Sequence, residues 1–163
     1  MINKRKYMKW HNLGLTSQYT PSMHMDYEDT PSEMIPEMIE EHETSWTKGK
    51  FFGKLLAFQT YLKLTHWSIT GEGSYVIHKA IDEAWYEMHN LLDKLVETSL
   101  THDEEIEFII PQIRKDISIL ECCDMICYKI HKFKPEFSEY QQGILEQYQC
   151  VLREMMYKIM RLS

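Results

Sequence analysis

KLTHWSITGEGSYVIHKAID, residues 63 to 82, is the stretch that decides the fold. Before it, Phe51, Leu55, Phe58 and Leu62 recur at spacings of four, three and four, which lays one apolar stripe along a helix starting at about Thr47. Gly71 and Gly73 break that pattern. It resumes near Ser74, with Ile77, Ile81, Ala84, Met88, Leu91 and Leu95 on one face, and runs to about Ser99. A joint this short makes the two helices pack antiparallel.

Two more helical periods follow. Pro111 marks either a loop or the opening of a third helix, whose stripe includes Ile113, Ile117, Leu120, Cys127 and Ile130, and Pro135 closes it. The last helix carries Ile144, Tyr148, Val151, Met155, Ile159 and Leu162. Residues 47–163 are therefore expected to form an all-α domain, a four-helix bundle. Residues 1–46, with Pro21, Pro31 and Pro36 among scattered Met, Tyr and acids, read as an irregular N-terminal arm. Thr30 and Glu33 have capping-box spacing with Pro31 at the first helical position, so a short helix fits there. The arm reads as a segment packed on the domain surface, with a partner-binding helix as the other option.

Composition bounds the function. At 163 residues the chain is one domain of ordinary size, and 44% hydrophobic content supports a real core. No apolar run reaches membrane-spanning length, and no apolar stretch follows the Lys/Arg-bearing start, Met1 to Trp10. An intracellular, cytoplasmic protein without a membrane partner is the expectation. Cys122, Cys123, Cys127 and Cys150 form no C-x-x-C pair, which disfavours a zinc ribbon or thioredoxin-type site and suggests reduced thiols in helix cores. A net charge of -7 argues against a surface that grips nucleic acid throughout. It leaves open a local basic arm, Lys4, Arg5, Lys6 and Lys9, able to hold phosphate weakly and in a salt-dependent way, or simply solvated.

The chemistry lies at the hairpin. His66 falls in the last turns of the first long helix and His78 in the first turn of the second, so the antiparallel joint brings both imidazoles to one end, where they could share a metal. Asp93 and Glu97 are four apart, on one helical face. Imidazole and carboxylate are ligands that iron accepts. Yet His78 and Asp93 stand on one helix, and 15 residues separate them by roughly 22 Å. A single ion bound by all four must take its histidines from one subunit and its carboxylates from another, across a twofold axis. Asp82, one turn past His78, faces the same end and can orient an imidazole or complete the metal's ligand set. No histidine in the chain has Glu three residues before it, which disfavours the usual di-iron site built inside a single bundle.

The run His66-Trp67-Ser68-Ile69-Thr70-Gly71, followed by His78, Lys79, Asp82, Asp93 and Glu97, resembles the Dps proteins, the mini-ferritins that protect DNA in starved cells. The resemblance covers about residues 50 to 100. It implies a ferritin-like bundle whose site lies between subunits, with iron (Fe2+/Fe3+) bound by His66 and His78 of one subunit and Asp93 and Glu97 of its partner. Asp82 joins that set. The implied activity is that of a ferroxidase, oxidising Fe(II) with peroxide or oxygen for detoxification or storage, in a homodimer at minimum and a dodecameric shell in the family. Trp67 matches the tryptophan beside the first histidine, a companion able to intercept stray radicals. Lysine tails contact DNA in some family members, which is the reading that would give Lys4, Arg5, Lys6 and Lys9 a DNA partner.

The chain also departs from the family. Val96 stands where a small residue is usual, the arm is foreign, and the crossover after the second helix has no room for the family's extra short helix. Either Thr101 to Ile110 crosses nearly extended, reaching roughly 33 to 36 Å, or the topology is simple up-and-down. These departures motivate an alternative: a non-catalytic ferritin-like structural or interaction subunit of a larger assembly, such as a virion. His42, His89, His102 and His131 lack convincing companions at ligand spacing and read as surface or core residues.

Overall fold

Thr47 starts the first helix, its Oγ1 accepting the Lys50 N–H at 3.2 Å from an extended backbone position, as an N-cap does. A computed structural model describes residues 46–101, 105–113 and 116–162. Four α-helices follow in order: α1 (Lys48–Ser68), α2 (Ser74–Leu100), α3 (Ile119–Phe133) and α4 (Glu139–Leu162), with a 3-10 turn at Lys134–Glu136. Among the described residues there is no strand, and no helix is long and apolar enough to cross a membrane. The arm's basic cluster, its Thr30–Glu33 helix, His42 and His102 lie outside the described residues.

The direction of each helix follows from contacts between their ends. Gln141 at the start of α4 donates to Ser99 Oγ at the end of α2, at 2.9 Å, and Lys158 near the other end reaches Glu83 at 3.1 Å. α4 is thus antiparallel to α2. Tyr61, two turns from the end of α1, donates to the Ile117 carbonyl at 3.0 Å, while Phe133 at the end of α3 packs on Phe51 at the start of α1, centroids 5.9 Å apart. α3 runs antiparallel to α1 and hence parallel to α2. A parallel pair of consecutive helices needs a long connection, and the chain between α2 and α3 supplies it.

That connection corrects the sequence expectation. Ile113 and Ile117 precede α3 instead of forming its first turns, so the crossing spans 101–118 and not 101–110. Helix α3 begins where Ser118 and Glu121 form a reciprocal capping box, with Ser118 N–H donating to Glu121 at 2.9 Å and Glu121 N–H to Ser118 Oγ at 3.2 Å. Ile117 is buried all the same, and Ile113 packs against the core. They are apolar because the crossover lies on the protein as a strap, not because they are helical.

The strap is seated on glycine. Ile109 N–H donates to the Gly49 carbonyl at 3.5 Å, and a Cβ on Gly49 or Gly53 would collide with the backbone carbonyls of Glu107 and Ile109 respectively. Covered by the core on one side and the strap on the other, α1 is apolar around much of its circumference. Phe51, Phe52, Leu55, Ala57, Phe58, Tyr61 and Leu62 are all buried. Helices α2 and α4 show the ordinary one-sided pattern, with Ile77, Ile81, Ala84, Met88 and Leu95 facing Ile144, Leu145, Tyr148, Leu152 and Met155 in one shared core. Leu162, assigned to that stripe by its spacing, is exposed. Of the cysteines, Cys122, Cys123 and Cys127 are buried and outside any disulfide, and burial pushes the Cys122 thiol up to about 12. Cys150 is free and exposed, which corrects the expectation that all four thiols lie in helix cores.

The hairpin turn uses Gly71 and Gly73, both at positive φ, where a side chain would be strained. They let α1 end and α2 begin within five residues, and that brevity positions the histidines.

Candidate metal centre

His66 and His78 meet at the hairpin end. Their ring centroids are 4.4 Å apart with planes inclined by 77°, an edge-to-face arrangement. His78 Nε2 lies 3.2 Å from the Ile69 carbonyl. A carbonyl only accepts, so Nε2 carries the proton, and in the neutral ring the lone pair is left on Nδ1. His66 Nδ1 is buried without a hydrogen-bond partner. Each ring thus offers a nitrogen that the chain itself does not use. Burial, and next the neighbouring His78, hold the His66 imidazole below the ordinary histidine range, which favours the neutral, ligating form.

Asp82 stands beside the pair, its Oδ1 3.8 Å from His66 Nε2. The same oxygen accepts from Lys63 Nζ at 2.9 Å. This hydrogen bond, more than any other influence, holds the Asp82 carboxyl below its usual range. Lys63 also sits 4.5 Å above the Trp85 ring, and Trp85 stacks on His89 with centroids 5.2 Å apart and planes only 4° from parallel. Lys63, Asp82, Trp85, Tyr86 and Asn90 line a shallow groove on this side of α2.

Asp93 and Glu97 are not at this end. Both are exposed, further along α2, and the helical rise puts Asp93 roughly 22 Å from His78. Among the described residues no group of three or more His, Cys, Asp and Glu within the chain is arranged to hold a metal ion. Trp67, next to His66, is 69% exposed and has no ring contact among the described residues. The chain therefore brings together His66, His78 and Asp82, and leaves Asp93, Glu97 and Trp67 facing outward.

Two residues of this neighbourhood escaped sequence reasoning. Lys63 lies one turn before His66, on a spacing that carried the signal, but its pairing with Asp82 depends on the hairpin. His89 is four residues after Trp85, the spacing at which helical side chains meet. No family model, curated protein or solved structure matches the chain.

Proposed function

We propose that this chain is a Dps-like ferroxidase with a ferritin-like four-helix bundle, which binds Fe(II) as substrate between two subunits and oxidises it with peroxide or oxygen. One observation carries the reading. Two imidazoles stand with ring centroids 4.4 Å apart, His66 Nδ1 is buried without a hydrogen-bond partner, and among the described residues the chain by itself arranges no group of three or more ligands to hold a metal ion. A donor set of two imidazoles suits a divalent transition metal, and the harder carboxylates of Asp93 and Glu97 from a second subunit favour the Fe(III) product. Each Fe(II) gives up one electron, and hydrogen peroxide takes two and leaves as water or hydroxide. The long strap supports the bundle assignment, because it joins two parallel helices, as ferritin-like crossovers do.

The test is anaerobic loading with Fe(II) followed by peroxide. Stoichiometric oxidation that disappears in His66→Ala and in Asp93→Ala is expected, and slow autoxidation identical in all three proteins overturns the reading. Such an outcome favours the alternative of a non-catalytic subunit, to which the Lys63 ammonium lends some weight, since it occupies the carboxylate nearest the histidines.

The same ammonium gives a second expectation. Lys63→Met removes a positive charge beside the imidazoles and releases Asp82, so Co(II) or Zn(II) should bind roughly tenfold more tightly by calorimetric titration. Weaker binding would instead assign Lys63 a role in holding the pocket together.

A further inference from the structure

The strap has one open edge. Glu107 and Ile109 turn their carbonyls onto α1 at Gly49 and Gly53, and the Ile109 N–H points the same way. Two strap residues thus cover one helical turn, about 6 Å, which is the spacing of an extended chain running along α1. In an extended chain the backbone groups of alternate residues point to opposite edges. Phe108 and Ile110 therefore aim theirs away from α1, and among the described residues neither has a hydrogen bond on its backbone. Pro111 keeps the pattern, since its missing N–H belongs to the α1 edge. Around these groups Phe108, Ile109 and Ile110 are 46%, 38% and 56% exposed. An apolar extended edge with unpaired backbone is a template for one more strand.

We infer that residues 6–10 of the same chain add to this edge as an antiparallel strand, with Met8 opposite Phe108 and Lys9 opposite Glu107. Charge selects the occupant. Glu105 and Glu107 are exposed on the strap and, among the described residues, neither pairs with a cation. Before Trp46 the only Lys and Arg are Lys4, Arg5, Lys6 and Lys9, whereas residues 26–43 carry acids and would be repelled. Tyr7 and Trp10 bring the side chains that strands favour, and there is no Pro among residues 1–10 to interrupt pairing.

Direction and register follow from the side chains. Run antiparallel with Lys9 at Glu107, the segment sets Met8 against Phe108, Tyr7 against Ile109 and Trp10 against Ile106. With Lys9 at the same place but the direction reversed, the polar His11 and Asn12 would meet Ile109 and Ile110. Phe108 with Met8, and Ile110 with Lys6, are then the pairs that exchange N–H and C=O bonds. The tether permits it. Trp46, stacked on Phe133, stands three residues before the glycine under the strap. Residues 11–45 reach on the order of 100 Å when extended, so the segment can return to the strap and is held near it at an effective concentration of order millimolar.

Hydrogen exchange of single amides in the full-length chain tests the pairing. The Phe108 and Ile110 amides are expected to exchange at least about tenfold more slowly in the parent than in Met8→Pro, which removes an N–H from the ladder. Lys9→Glu and Glu107→Lys should each speed their exchange, and the two together should restore the protection. All three positions lie on the exposed strap or outside the folded bundle, and circular dichroism verifies that helix content is kept. Equal exchange in the parent and Met8→Pro overturns the inference, as does a charge swap without recovery. Protection that rises with protein concentration would assign the edge to a second copy instead, and protection retained in Met8→Pro would assign it to another segment. The outcome is independent of Fe(II) oxidation.

Discussion

Gly53→Ala is expected to lower the unfolding free energy by about 3 kcal/mol or more, with a matching fall in the urea midpoint at unchanged slope. Cβ is the smallest addition possible, so the size of the effect comes from what it meets. The new methyl would overlap the carbonyl of Ile109, which is main chain and cannot rotate aside. The strap is pinned on both flanks of that point. Phe108 packs on Phe52 with centroids 6.2 Å apart, and the Ile117 carbonyl accepts from Tyr61. Relief therefore requires lifting the strap from α1, which uncovers Phe52 and the apolar contacts of Ile106 and Ile113. Gly49→Ala should act in the same direction, since its Cβ would meet the Glu107 carbonyl. Gly143→Ala supplies the contrast. It stands inside α4 with nothing within 4 Å of a would-be Cβ, so alanine should gain about 0.5 to 1 kcal/mol through helix propensity alone. Equal stability of Gly53→Ala and the parent chain would falsify the seating of the strap.

The strap also explains where sequence reasoning succeeded and failed. Helices α2 and α4 each bury one face, so their period is clean, and the extent of α2 could be read closely from spacing. Helix α1 was found from four residues of its stripe. The additional apolar residues around it, Phe52, Ala57 and Tyr61, carried no separate message until the strap was seen to cover that side. Gly49 and Gly53, one turn apart, were the legible trace of a close backbone approach, and a glycine pair on an otherwise good helix invites that reading. Ile113 and Ile117 were misread because a spacing of four is helical in pattern, while an extended segment wrapping a curved surface can bury the same residues.

At the site the division is different. The hairpin alone placed His66, His78 and Asp82 together, because a short joint leaves two antiparallel helices few relative positions. Lys63 and His89 were not legible, since their significance lies in partners on another turn or helix: Asp82 for one, the Trp85 ring for the other. Asp93 and Glu97 remain where the rise per residue put them, away from the histidines. Geometry within one chain thus poses the question of a second chain.

Subunit mixing is expected to answer it. One parent carries His66→Ala and His78→Ala, the other Asp93→Ala and Glu97→Ala, and each alone should be inactive in peroxide-driven Fe(II) oxidation. If both ligand types came from one subunit, no mixture could contain an intact site. If they come from opposite subunits, the heterodimer has one site that has lost all four ligands and one that has kept all four. Random reassociation of equal amounts makes about half the dimers mixed, and one of two sites in each is whole, so about a quarter of the unsubstituted protein's rate should return. The readout is a gain of function from two inactive proteins, which misfolding cannot imitate. Separate dissociation and remixing of each parent with itself controls for recovery caused by handling. Full inactivity of the mixture, with heterodimers demonstrated by mass spectrometry, would remove the shared site from consideration while leaving the two histidines as neighbours at the hairpin end. A return well above a quarter would mean that mixed dimers form preferentially.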